Sequence, residues 1–485
     1  MSFLLSRRHA LGTGLAALSA SLLMTSCISP PAARADSPTI SVSGPIEGGS
    51  KGWIYRSPVL DLDELGYVME EYFVSGTANS FELMPGSEAN FDGDWDTRIA
   101  DQRPFTTRVF ILRPADPRKY NGVLLAHWQN VSAGFENGFP SGDEIFSGYA
   151  WMGVSAQYVG IYGTPKTEAL SLRQWDPVRY GRLEHPGDAY SYDIFAKAVS
   201  GALAKSEEGP GGPLGDLKTE TIIAVGGSQS ALRLASYINI AKPHEKVFDG
   251  FLLLAHFGLT LPAKELSLPE VFDTAGGGRH AHWSQINDRG DVPVLVIDTQ
   301  AEALMNVPAR QPDTDSFRFW EIAGAPHTPP STITQKRLSL ERDGIPDGPE
   351  AKRNIVEWDY VKDAGIRDLT KWIRTGEAPP KVERLEIVMT DKGPAYKMDA
   401  NGNVLGGIRP PEVAAAVGKH TAGLPQPNLL GTSQLFSKEK LTELYGNREN
   451  FLAKWNAAVD ELVARGFVLP GADGPIRDRA SQYWP

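Results

Sequence analysis

The chain has 485 residues, 41% hydrophobic and 22% charged with 49 Gly and 36 Pro, a make-up that fits a turn-rich globular protein and excludes a disordered or fibrous one. Its net charge is -11 and its Lys and Arg are scattered, so there is no basic stripe to receive a nucleic acid. Cys27 is the only cysteine, so a mature domain carries no intramolecular disulfide and no thiolate zinc site.

Residues 1–35 read as an export address. Ser6-Arg7-Arg8-His9-Ala10-Leu11 precedes a Gly-, Ala- and Leu-rich stretch to Met24, the outline of a twin-arginine signal, with Ala10 where a large apolar residue is usual. Two exits compete. Leu23-Met24-Thr25-Ser26-Cys27 has the form of a bacterial lipoprotein box, and Ala33-Arg34-Ala35 before Asp36 that of a soluble-protein cleavage site. Either predicts a mature chain outside the cytoplasm, periplasmic or tethered to the membrane through a lipidated Cys27. An uncleaved anchor is disfavoured, because the apolar stretch falls short of the roughly 20 residues needed to span and is broken by Gly and Ser. Residues 36–66 are expected to be a tether leading into the fold.

From Tyr67 the signals are those of a sheet. Tyr67–Ser75 and Thr106–Leu112 alternate and are bounded by Gly, Pro and Asp, so both are expected strands. Gly122–Trp128 is more continuously apolar, as in a strand buried on both faces, and runs into the polar loop Gln129-Asn130-Val131-Ser132-Ala133-Gly134. Next come a strand over Ala150–Gln157 and a helix over Ala189–Ala204. A strand at Ile222–Val225 meets a turn and a helix to Ile240, and further strands follow at Phe248–Ala255, Val292–Asp298 and Ser316–Glu321. This alternation predicts an α/β core over residues 67–380, a mostly parallel, doubly wound sheet with helices on both faces. An amphipathic helix over Glu357–Thr375, stopped by Gly376 and Pro379-Pro380, closes it. Residues 381–485 are expected to be an α+β appendage packed on the core: short strands at Arg384–Val388 and Ala395–Met398, a turn at Asn401-Gly402-Asn403, a loop, and two helices within Lys438–Arg465.

The chemistry centres on Ile222-Ile223-Ala224-Val225-Gly226-Gly227-Ser228-Gln229-Ser230, a β-branched run that stops at two glycines and a serine where a helix begins. A serine at such a turn has its Oγ thrust out at the end of the sheet, over the positive end of the helix. The motif form is G-x-S-x-G; Gly226 fits and Ser230 replaces the second glycine. Ser228 therefore reads as a nucleophile, or equally as a helix-capping serine. A nucleophilic serine needs a histidine to take its proton and a carboxylate to hold that histidine, and in this arrangement they follow in the order Ser, acid, His. Glu302 lies just past the Val292–Asp298 strand and His327 in the loop after the next one, so both stand where they are required. Asp298 is the rival acid; its place on the strand itself makes Glu302 the preferred one. An oxyanion hole needs backbone N–H donors. Gln229 supplies one by position, and the loop beginning Trp128-Gln129-Asn130 is expected to supply the other, from Gln129 or Asn130. Asn130 reads equally as a turn former, and His127 as a buried structural histidine.

Five strings together resemble a large, poorly characterised family of bacterial α/β-hydrolase domain proteins. They are Ala126-His127-Trp128-Gln129-Asn130-Val131-Ser132-Ala133-Gly134, Tyr180-Gly181 with His185-Pro186-Gly187-Asp188-Ala189-Tyr190-Ser191-Tyr192-Asp193-Ile194, Gly227-Ser228-Gln229-Ser230-Ala231, Pro308-Ala309-Arg310-Gln311-Pro312-Asp313-Thr314-Asp315, and Asn403-Val404-Leu405-Gly406-Gly407-Ile408-Arg409. The resemblance covers about Tyr67 to Gly471. It implies the α/β-hydrolase fold, appendage included, and makes G-x-S-Q-S the normal elbow. It also implies an aspartate after the late strand, where this chain has Glu302, a carboxylate of longer reach. A family of this kind fixes a fold and a nucleophile rather than a substrate.

The leading reading is a serine hydrolase of small-molecule esters: Ser228 attacks, His327 moves the proton, Glu302 orients His327, and Gln229 with Gln129 or Asn130 holds the oxyanion. It needs no cofactor. Two alternatives come from other classes, a metal-dependent site at His280-Ala281-His282 and a non-catalytic ligand-binding lipoprotein on the same scaffold. Trp128, Phe135, Phe139, Tyr158 and Trp175 are expected around the mouth, which would favour an apolar or aromatic substrate group, and they read equally as core.

Overall fold

The computed structural model describes residues 40–484 apart from 139, 245, 262–281, 291, 347–352 and 424–427. The export signal, Cys27 and the first part of the tether therefore lie outside the described residues. From Thr39 onward the chain forms one compact unit.

Nine strands of the described residues make one sheet: β1 (Ser41–Ser43), β2 (Tyr67–Leu83), β3 (Thr97–Pro114), β4 (Val123–Trp128), β5 (Ala150–Val154), β6 (Thr221–Gly227), β7 (Gly250–Leu254), β8 (Val294–Thr299) and β9 (Phe317–Ile322), in the spatial order β1-β2-β3-β5-β4-β6-β7-β8-β9. The first three pairings are antiparallel, and from β5 to β9 every pairing is parallel. The exchange of β4 and β5 sets the switch point, and the carboxyl ends of β4 and β6 open side by side there.

The alternation along each strand sorts side chains between two cores. On β4, Leu124, Ala126 and Trp128 pack on one face with α1 (Ser191–Glu207) and α2 (Gln229–Ile240). Val123 and Leu125 join the other core, together with Ala303 of α3 (Gln300–Asn306). α4 (Pro330–Asp343) follows, and then α5 (Asp359–Thr375), which lays Val361, Ile366, Leu369 and Trp372 on that same second core. Gly365 is required on α5 because a Cβ there would stand 2.6 Å from Ile297 Cδ1.

Three stretches before residue 381 differ from expectation. β2 and β3 run on well past the expected strands and pair from Tyr67↔Pro114 to Leu83↔Thr97, with a one-residue register shift between Ser80 and Phe81. The extension was silent in the pattern because residues 98–104 of β3 are exposed and need no apolar alternation. The segment expected to be a tether adds β1 to the sheet edge and buries Tyr55 and Arg56 completely. α4 carries almost no apolar periodicity, since its buried residues are Thr332, Ser339 and Asp343, and it is seated by hydrogen bonds such as Arg56 Nη1 to Ser339 Oγ at 2.9 Å.

The C-terminal stretch contains the hairpins β10 (Ile387–Thr390) with β11 (Gly393–Tyr396) and β12 (Gly418–Gly423) with β13 (Asn428–Leu435), then α6 (Lys438–Tyr445) and α7 (Arg448–Ala464). It is tied to the sheet through the second core, which Val404, Ile408, Trp455 and Phe467 share with Trp320 of β9, the Phe467 ring meeting that of Trp320 edge-on. The β12–β13 hairpin stands where a loop was expected.

Candidate active site

At the end of β6 the backbone of Ser228 takes φ 58 and ψ -124, a left-handed conformation that costs a non-glycine residue on the order of 1–3 kcal/mol. The surroundings hold it there. Ser228 N–H donates to Leu254 O at 2.9 Å, and Ser230 Oγ both accepts from Gly227 N–H at 2.9 Å and donates to Gly227 O at 2.8 Å. That clasp is the physical reason a serine serves at the second small position. Gly226 must be glycine, because a Cβ there would lie 2.6 Å from Ser230 O.

Two further side chains form a line with Ser228. His327 Nε2 lies 2.8 Å from Ser228 Oγ, and His327 Nδ1 lies 2.5 Å from Glu302 Oε1. Glu302 is fully buried, at the third position of α3, where Thr299 and Glu302 form a capping box: Glu302 Oε2 accepts from Thr299 N–H at 2.9 Å and Thr299 Oγ1 at 2.7 Å. Cap and histidine thus use different oxygens of one carboxylate, and the cap fixes its direction. The His327 ring stacks on Phe257, and His327 N–H donates to Leu429 O of β13 at 2.9 Å.

Asp298 lies away from this chain. Its Oδ1 accepts from His256 N–H at 2.6 Å and its Oδ2 from Asn306 Nδ2 at 2.8 Å. Burial first, and then the neighbouring Glu302, push its carboxyl well above the ordinary range.

Of the oxyanion candidates, Gln229 is the first residue of α2, so its N–H falls outside the intrahelical ladder. Gln129 is a correction: its N–H donates to Val154 O at 3.1 Å, completing the β4–β5 ladder, so it is not free for a substrate. Asn130, the next residue, borders the cavity and ties its loop to the elbow through Nδ2 to Gly227 O at 2.9 Å. Gly138 keeps the space before it open; a Cβ there would stand 3.2 Å from Asn130 N and 2.8 Å from His127 Cε1.

A cavity of about 650 Å³ opens on Ser228 and His327. Of the aromatic residues considered for its mouth, none that is described lines it. Trp128 points to the opposite face of the sheet against Phe195, Phe135 and Trp175 belong to a separate cluster, Tyr158 packs on Tyr162, and Phe139 lies outside the described residues. The apolar walls are instead Leu254, Phe257, Trp358, Leu429 and Leu430. Its polar end carries His127, Thr332, Lys336, Asp359 and Lys362. Burial above all, with Lys336 and Lys362 next, drives the His127 imidazole down to about 3, so it is neutral at physiological pH. No single motif flagged these walls, since α4, α5, β13 and the β7 exit each give one or two residues.

Among the described residues no group of three or more His, Cys, Asp and Glu is placed to hold a metal ion. His280 and Ala281 lie outside those residues, and His282 is described only by its backbone.

A mostly parallel sheet with this strand order and a strained serine elbow on its central strand defines an α/β hydrolase. A family model described as "Alpha/beta hydrolase domain" matches residues 42–476, and the chain belongs to that family. No curated protein matches it. Among solved structures it is similar to a glucuronoyl esterase from Solibacter usitatus, at 12% identity over 65% of this chain and 87% of that one with a TM-score of 0.27. It is also similar to acetyl xylan esterase 1 from Thermoanaerobacterium sp. JW/SL YS485, at 10% identity over 63% and 88% with a TM-score of 0.28. The family match, rather than these likenesses, carries the fold.

Proposed function

We propose that this hydrolase cleaves carboxylic esters through Ser228, His327 and Glu302. The observation that carries the reading is the unbroken line Glu302 Oε1, His327 Nδ1 and Nε2, Ser228 Oγ, with spacings of 2.5 and 2.8 Å at the mouth of a cavity. Ser228 Oγ attacks the ester carbonyl and gives its proton to His327 Nε2, while Glu302 stabilises the imidazolium. The N–H groups of Gln229 and Asn130 receive the charge on the carbonyl oxygen. His327 returns the proton to the leaving alkoxide, and the alcohol departs. Water, deprotonated by His327, then attacks the acyl-enzyme, releasing the acid and restoring the Ser228 hydroxyl. No cofactor enters these steps.

The chain is exported in this reading, with Cys27 lipidated or the signal removed after Ala35. Fractionation of cells expressing the full chain and a Cys27→Ala form tests the choice: membrane retention that is lost in the variant supports the lipid anchor. For the activity, purified protein is assayed on 4-nitrophenyl esters of graded chain length beside Ser228→Ala. Turnover by the wild type alone supports the proposal, and equal turnover by both defeats it.

A further inference from the structure

We propose that the cavity between α3 and the two C-terminal hairpins is a second binding site, for a single amphiphilic anion: an organic carboxylate with an apolar body. The cavity measures about 810 Å³, larger than the one at Ser228 and of the size that takes small organic ligands. The two share no lining residue. Apolar surface reaches it from three elements, through Leu304 of α3, Tyr396 of β11 and Ala422 of β12, and Leu304 and Ala422 are buried. Fixed backbone contacts hold these elements apart at the right spacing. Tyr396 Oη donates to the carbonyl of Gln300, the first residue of α3, and β12 closes on the same helix at Gly423, where a Cβ would collide with Ala301 O.

Charge at the rim selects the occupant. Lys392 and Lys419, both exposed, border the cavity, and among the described residues no Asp or Glu does so, in a chain of net charge -11. Neither ammonium has an ion-pair or hydrogen-bond partner among the described residues. The carboxylates of the same stretch are held elsewhere, Glu386 by Lys397 at 2.6 Å and Asp399 by Arg409 at 2.8 Å, and Asp391 at the tip of the β10–β11 hairpin does not border the cavity. A small inorganic anion would meet only the rim, and an uncharged apolar molecule only the interior. A carboxylate carried on an apolar chain uses both, through charge-assisted hydrogen bonds at the lysines and burial of the chain against Leu304 and Ala422. Because those two residues are recessed, the fit is to one molecule entering rather than to a bilayer surface, which would touch the rim alone.

Octanoate and 1-octanol share a chain and differ in charge, so calorimetric titration of the full chain with each tests the proposal. Octanoate is expected to bind the wild type about tenfold or more tighter than 1-octanol. The double variant Lys392→Glu/Lys419→Glu, changed only at exposed positions, should keep its circular dichroism spectrum, lose about tenfold or more in affinity for octanoate and leave 1-octanol unchanged. Lys392→Arg/Lys419→Arg should retain octanoate. A diazirine-bearing octanoate, photolysed on the wild type and mapped by peptide mass spectrometry, places the ligand: adducts are expected on Leu304, on Tyr396 or Met398, or on Ala422. Equal affinity for octanoate and 1-octanol, octanoate binding unmoved by the double charge reversal, or adducts confined to residues bordering the Ser228 cavity would overturn the site. So would an absence of octanoate binding, and attachment to phosphatidylglycerol vesicles in that case would assign the lysine rim to a membrane surface instead.

Discussion

Asp298 is the penultimate residue of β8 and Glu302 lies in the first turn of α3, so the two carboxyls share one strand-to-helix junction, and neither has exposed surface. Around Asp298 the donors are the His256 backbone and the Asn306 amide, groups that brace the β7 exit against α3. Around Glu302 one oxygen caps the helix and the other meets His327. The difference shows what decides where a carboxylate points here. A carboxyl still on the strand faces the neighbouring strand's exit, whereas one turn further on the helix aims it back beneath the histidine loop.

Breaking the chain at its far end should have the largest effect. Ser228→Ala removes the nucleophile, and we expect ester hydrolysis to fall to background in steady-state assays, with an unchanged circular dichroism spectrum. Next comes Glu302→Gln. It keeps the shape but removes the charge and the tautomer control of His327, and kcat should fall by as much as about 10⁴. The Thr299 bonds can survive on the amide oxygen, so the fold should persist, and a thermal melt checks that.

Asp298→Asn sharpens the contrast from the other side. Activity should stay within about tenfold of wild type, since the residue touches neither Ser228 nor His327. Its signature should be in stability against pH. Because the folded protein holds the Asp298 proton above the pH at which the unfolded chain releases it, this group makes stability decline as pH rises from the ordinary carboxylate range. Asp298→Asn lacks that term, so Tm measured from about pH 4 to 8 should decline less steeply than in the wild type. The smallest effect is expected for Ser230→Ala, which breaks the clasp on Gly227 and should cost about 1 kcal/mol per lost bond in chemical denaturation.

What the sequence made legible follows from locality. Ser228, Glu302 and His327 each sit just past the end of a recognisable strand, so chain order alone singled out three residues that the fold brings together. The Thr299-x-x-Glu302 capping box was also written in the sequence, and it argues for Glu302 over Asp298 on local grounds. Strand alternation could have removed Trp128 from the mouth, since it shares a face with Leu124 and Ala126 while His127 faces the cavity. The rest was not local. Whether Gln129 N–H is free depends on β5 crossing beside β4, and the cavity walls come from segments as far apart as Leu254 and Leu430. α4 was invisible because it packs through Thr332, Ser339 and Asp343 rather than an apolar stripe.

The most direct test of the account is the site of covalent labelling by a fluorophosphonate, read by peptide mass spectrometry on the wild type, Glu302→Gln and Asp298→Asn. A single adduct on Ser228 is expected, formed at the wild-type rate in Asp298→Asn and much more slowly in Glu302→Gln. No adduct on Ser228, or slowing by Asp298→Asn in place of Glu302→Gln, would contradict it.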